Sequence, residues 1–159
     1  SCLVGSEMCI RDRTYAQVWM ADYGNGVAIT PDGSKVVVGS PKEGRVYLYE
    51  LNQGKFTSEQ KITNREIPTF GWKVSVSTSG RSLAISAPRA RDESGLDVGL
   101  IVIYNFIDDK WIKMRGMIQG RNEDRKLGLG GVAIDEKLGR VYGMDQNGVI
   151  DTYQVRVIG

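Results

Sequence analysis

The chain has 159 residues, 41% of them hydrophobic and 25% charged, enough for one domain-sized core and ordinary for a globular protein. A net charge of +2 is too small to argue for a nucleic-acid partner, and no apolar run approaches the length of a membrane span. With zero histidines, no Ser-His-Asp triad, Cys-His pair, imidazole acid–base group or His-ligated zinc can be built from this segment.

Residues 1–13, SCLVGSEMCIRDR, look like one translated frame of an adaptor used in DNA library preparation, so they are expected to be foreign and disordered. On that reading the native N-terminus is missing, and the lack of a signal peptide says nothing about secretion. Both cysteines, Cys2 and Cys9, fall in that stretch, so the rest predicts no disulfide framework and no thiolate metal site.

From residue 14 onward the hydrophobic residues alternate as they do in half-buried strands. Residues 14–20, with Trp19, read as the outer strand of a preceding unit. Strands are then predicted near 26–30, 35–40, 44–51 and 55–62, with Thr30-Pro31-Asp32-Gly33-Ser34 and Asn52-Gln53-Gly54 supplying turns. A second set falls near 72–77, 82–87, 98–106 and 110–117, turning at 78–81 and at Asp108-Asp109. A third falls near 130–135, 140–144 and 148–157. No linker or low-complexity segment divides them.

The three sets are copies of one unit. Val27-Ala28-Ile29, Val74-Ser75-Val76 and Val132-Ala133-Ile134 correspond, and Val36, Leu83 and Val141 each follow nine residues on. Gly44, Gly99 and Gly148 open the third strand of each copy, and Tyr49, Tyr104 and Tyr153 close those blocks. Repeats of roughly 40–60 residues with four short strands apiece are the signature of propeller blades. The expected fold is therefore all-β, a partial β-propeller of consecutive four-stranded antiparallel blades over 14–159. Its blades span 23–62, 70–117 and, incompletely, 127–158. Three blades cannot close a ring of the usual four to eight, so the remaining blades of a parent protein, or further copies, are expected partners.

Within the copies, Tyr23-Gly24 or Phe70-Gly71 precedes the first strand, and Val38-Gly39-Ser40-Pro41 or Ile85-Ser86-Ala87-Pro88 ends the second. These motifs resemble the FG-GAP repeat of integrin α-type propellers. The second copy matches best, and the third has lost the motif at Gly143-Met144-Asp145. The resemblance implies a protein or glycan ligand, recognition of the adhesion type, and a place outside the cell or at its surface. The calcium of that family is not carried over. Residues 30–35, 77–82 and 135–140 lack the alternating carboxylates, and residues 145–151 match such a loop only faintly, since Gly148 is expected to begin a strand.

Antiparallel blades place their turns on two faces in alternation. One face carries only tight turns. The other carries residues 64–69, 88–98 and 119–128, and long loops on a rigid scaffold are where binding concentrates. The candidate ligand-binding residues are Arg89, Arg91, Asp92, Glu93, Arg121, Asn122, Glu123, Asp124 and Arg125, with the solvated-loop reading equally open. Asp92-Glu93, Asp108-Asp109 and Glu123-Asp124 are neighbours that point apart on an extended chain, not a catalytic pair. Gly128-Leu129-Gly130-Gly131 precedes a strand where a phosphate loop needs a helix. Trp19, Trp72, Trp111, Tyr47, Tyr49, Tyr104 and Tyr153 are expected to pack blade against blade. The sequence thus points to a non-catalytic binding module without cofactor, catalytic residue or metal. The rival is a propeller segment of a larger enzyme such as a hydrolase.

Overall fold

The computed structural model describes residues 24–121 and 125–155. The segment 1–13 expected to be foreign, the strand expected at 14–20, Trp19, Tyr23 and the candidates Asn122, Glu123 and Asp124 lie outside the described residues. Among the described residues there are twelve strands and no helix.

β1 (Gly26–Ile29), β2 (Lys35–Ser40), β3 (Arg45–Asn52) and β4 (Lys55–Thr63) form one antiparallel sheet in that order. β5 (Val74–Val76), β6 (Ser82–Ala87), β7 (Leu100–Ile107) and β8 (Lys110–Lys113) form the second, with β9 (Ile118–Gln119) also paired to β7. β10 (Gly131–Asp135), β11 (Arg140–Met144) and β12 (Ile150–Gln154) form the third.

The fourth strand of the second blade departs from expectation. It ends at Lys113 rather than running to 117. Gly116 adopts φ +99, which breaks the extended run, and the chain returns to pair Ile118 with Ile101 further along β7. Gly148 differs as well. It lies at φ +78 in the turn before β12 instead of beginning the strand.

Alternation decides how the sheets stack. On the first sheet Ala28, Val37, Val46, Leu48 and Ile62 share one face, and they meet Val74, Leu83, Ile85, Val102 and Tyr104 of the second. The opposite face of the second sheet offers Ala84, Ile101 and Ile103 to Val132, Ile134, Val141 and Tyr153 of the third. Each fully buried Val, Leu or Ile in these seams is worth about 1.5–3 kcal/mol of burial.

The seams share a device. Thr69 and Lys126 take positive φ (60 and 51), Phe70 and Leu127 follow with no exposed surface, and Gly71 and Gly128 take positive φ again (93 and 85). Both glycine N–H groups then cap the second strand of their own blade, on Ser86 O at 3.2 Å and Met144 O at 3.0 Å; Gly24 does the same on Gly39 O at 3.0 Å. A positive φ on a β-branched residue such as Thr69 is costly on its own. Its recurrence at Lys126 marks it as part of the stacking geometry.

The tight-turn face has its own fastening. Asp32 accepts hydrogen bonds from Thr30 Oγ1 at 2.6 Å and from Ser34 N–H and Oγ at 3.0 and 2.8 Å. The Thr30 hydroxyl first, then the Ser34 donors, hold this carboxyl down from 3.8 to about 2. A depressed folded pKa means the turn's contribution is complete above about pH 4 and is lost as pH falls through about 2. An Asp32→Asn variant should lose the acid limb of unfolding in that window. A carboxyl titration by NMR with a midpoint near the ordinary aspartate value would contradict this.

Candidate functional site

The connections on the opposite face are bonded into one layer. The N–H of Asn64 donates to Gly44 O at 2.8 Å, that of Arg89 to Thr69 Oγ1 at 3.1 Å, that of Leu127 to Val98 O at 3.0 Å, and that of Gln146 to Arg125 O at 3.0 Å. Each bond ties a blade's second-to-third connection to a crossing between blades.

Residues 88–99 are an ordered hairpin rather than an irregular loop. Gly99 N–H donates to Ala90 O at 3.0 Å, Arg91 pairs with Asp97 in a β-bridge, and Arg91 Nε reaches Asp97 Oδ1 at 3.0 Å. At its tip Asp92 Oδ1 accepts from Ser94 Oγ at 2.6 Å, Ser94 N–H at 2.9 Å and Leu96 N–H at 3.0 Å. The Ser94 hydroxyl, then the Leu96 amide, hold the Asp92 carboxyl below its ordinary value. Asp92 therefore shapes the tip, Glu93 is exposed on it, and Arg89 is exposed at the base of the hairpin.

The crossing from the second to the third blade contributes Arg121, which is exposed, and Arg125, which is committed elsewhere. Arg125 Nε lies 2.6 Å from Asp145 Oδ2, while Asp145 Oδ1 takes the N–H groups of Asn147 and Val149 at 2.8 and 3.0 Å. Asp145 is 2% exposed. Burial pushes its carboxyl up, but the two backbone donors and the guanidinium outweigh it and the net shift is downward. The structure thus sets a guanidinium and two amides on the carboxylate of the faint calcium-like loop, where a cation would need free oxygens. Asp145 was not legible as a site residue because its partner lies twenty residues away, on a separate connection.

Two clefts open on this face, the first of them against the hairpin. One, of about 340 Å³, is walled by Ile67, Pro68, Ala90, Val98 and Met117, with Glu66, Arg91 and Lys113. The other, of about 410 Å³, lies among Pro41, Lys42, Arg65 and Thr69. Several of the aromatics serve the blade contacts: Trp72 Nε1 donates to Leu129 O at 3.2 Å, Trp111 Nε1 to Gln60 Oε1 at 3.0 Å, and Phe70 meets Tyr104 edge-on at 6.2 Å, whereas Tyr47 and Tyr49 pack with Val38 and Phe56 on the other face of the first sheet. Asp108 and Asp109, at φ 48 and 60, form a tight hairpin turn on the far face. Among the described residues no group of three or more His, Cys, Asp or Glu is placed to hold a metal ion.

No protein-family model matches the chain, and no curated protein matches it. Solved structures do. The β-propeller domain of Cps50 (Swd1) from Myceliophteria thermophila superposes with a TM-score of 0.58 at 14% identity, over 82% of this chain and 39% of that one. The fold is part of a β-propeller. Hydrazine synthase from Kuenenia stuttgartiensis is similar over 81% of this chain and 33% of its own, with a TM-score of 0.51 and 12% identity. The propeller therefore spans well under half the length of either structure.

Proposed function

We propose that this propeller segment belongs to a non-catalytic binding module that recognises a protein through its long-loop face. The reading extends to adhesion-type recognition at the cell surface or outside the cell, as the FG-GAP resemblance implies. What carries it is the asymmetry between the faces. One is sealed by two-residue and Asx-type turns, while the other raises a hydrogen-bonded hairpin over one open cleft and carries a second between the 41–44 and 65–69 connections. A rigid projection binds at a lower entropic cost than a floppy one. The absence of histidine from the sequence favours recognition over catalysis.

The test is selection of binders from a displayed protein library against the full chain. Arg89→Ala combined with Glu93→Ala should weaken the selected binders by roughly tenfold or more, the usual cost of losing anchor contacts. Thr78→Ala combined with Arg81→Ala, on the tight-turn face, should leave them unchanged. The reverse pattern would place recognition on the wrong face for this proposal.

A further inference from the structure

The outer rim of the first seam carries a groove. One wall is β4 and the crossing after it, with Gln60, Ile62 and Ile67; the other is β8 and the residues after it, with Trp111, Lys113 and Met117. Both walls belong to four-stranded blades packed face to face, so no further blade comes between them. Tyr104 and Leu100, on the seam side of β7, floor its two ends. Four residues of strand separate them, about 13 Å at roughly 3.3 Å per residue. The hydrogen bond from Trp111 to Gln60 crosses the groove at the Tyr104 end, where it opens to about 460 Å³. The Leu100 end is the cleft of about 340 Å³ under the hairpin.

The chemistry changes along this length. Ile67, Pro68, Ala90, Val98 and Met117 make the hairpin end apolar, and Met117 is 50% exposed. Midway stands Lys113. It is the register partner of Tyr104 and two residues on from Trp111, both of which pack in the seam, so alternation turns it to the groove side. Lys113 is exposed and makes no hydrogen bond or ion pair among the described residues. The neighbouring charges are otherwise occupied or balanced: Arg91 is held by Asp97, Lys61 lies over the Tyr47 ring, and Lys110 adjoins Asp109 in the turn. Glu66 stands on the opposite wall at the apolar end, where it opposes a second acid.

We infer that this groove takes an extended protein segment with a leucine-sized side chain in the hairpin end and, two positions away, a single acidic residue against Lys113. Alternate residues of an extended chain share a face, which matches the step from the apolar cleft to Lys113. The groove shares the hairpin's cleft with the long-loop face, and to that extent the inference rests on the reading given above.

The probe is a fluorescently labelled, end-capped peptide, Gly-Ser-Leu-Ser-Glu-Ser-Gly, measured by anisotropy against the full chain. Binding should be saturable. Met117→Ser should weaken it about tenfold, and so should alanine in place of the peptide's leucine, because the anchor contact is lost. Lys113→Glu should weaken it about threefold or more, the scale of an exposed ion pair, and should reverse the preference between this peptide and one with lysine in place of glutamate. Concentrated salt should remove that preference while the need for leucine stays. Both substituted positions are exposed, and an unchanged Trp111 indole resonance in the unbound variants will show that the seam is intact. The inference is overturned if the peptide does not bind, or if binding ignores both substitutions. It is also overturned if capped leucine alone competes equally, which would mean a pocket for a small apolar molecule. Self-association abolished by Met117→Ser would overturn it too, since a second copy would then fill the groove. If the peptide fails while selected binders still need Arg89 and Glu93, this inference falls and the reading of the long-loop face stands. If the peptide needs Lys113 and Met117 while the binders ignore Arg89 and Glu93, the groove stands and that reading falls.

Discussion

Gly39→Ala is expected to lower stability by about 3 kcal/mol or more, the upper range for forcing an atom into a packed contact. A Cβ at Gly39 would stand 2.0 Å from the carbonyl oxygen of Gly71 on the next blade, and the obstacle is backbone, which cannot rotate away. Relief requires the two blades to separate along the whole seam, undoing contacts such as Val37 and Leu48 against Val74 and Ile85. Gly33→Ala is the control. Gly33 has φ +71 but nothing within 4 Å of the added atom, so only the backbone preference is lost, about 1 kcal/mol. Chemical denaturation of the two variants measures the difference; equal midpoints would show that the seam yields more easily than its geometry implies. The second seam shows what a wider gap looks like. There the position equivalent to Gly39 is Ser86, whose Oγ donates to Gly128 O at 3.0 Å and accepts from Lys73 N–H at 3.0 Å.

Phe70→Ala should cost about 3–5 kcal/mol, the range for deleting a buried aromatic ring. Phe70 has no exposed surface, packs with Val46, Leu83 and Val102, and meets Tyr104 edge to face with ring centroids 6.2 Å apart. Collapse into the void is opposed because Thr69 and Gly71, both at positive φ, fix the backbone on either side. Phe70→Leu should be far milder, under about 1.5 kcal/mol, because the third copy already uses Leu127 at the same place without exposing it. Urea unfolding distinguishes the pair. A similar loss for Ala and Leu would mean the ring's edge-on contact with Tyr104, rather than its volume, holds the seam.

Most of the strand pattern could be read from the sequence because the same apolar alternation is repeated in each copy and the middle blade buries both of its faces. The run ending at Ala87 is apolar or small at every position and lies where the pattern put it, and the run beginning at Leu100 is apolar up to Asn105 and starts two residues later than expected. Less visible were features set by contacts between copies. Leu127-Gly128 is the third instance of the Phe70-Gly71 pair, but leucine in place of phenylalanine and a one-residue difference in spacing hid it. The break after Lys113 depends on the left-handed Gly116 and on unfilled pairing positions at Leu100 and Ile101, which no local pattern reveals. At the candidate site, the charged stretch 89–93 was identifiable as a stretch, not as a hairpin tip shaped by Asp92. Arg125 looked like its neighbours until Asp145 appeared opposite it.

β6 is covered at all six of its positions, with Leu83 and Ile85 turned toward the first blade and Ala84 toward the third. It is the shared wall of two rooms. A change of volume at one of its residues pushes through the strand into the opposite seam, so perturbations there will be felt on both sides at once. A comparable change on β2 or β11 disturbs one boundary, which makes the middle wall the part of this molecule least free to drift in sequence.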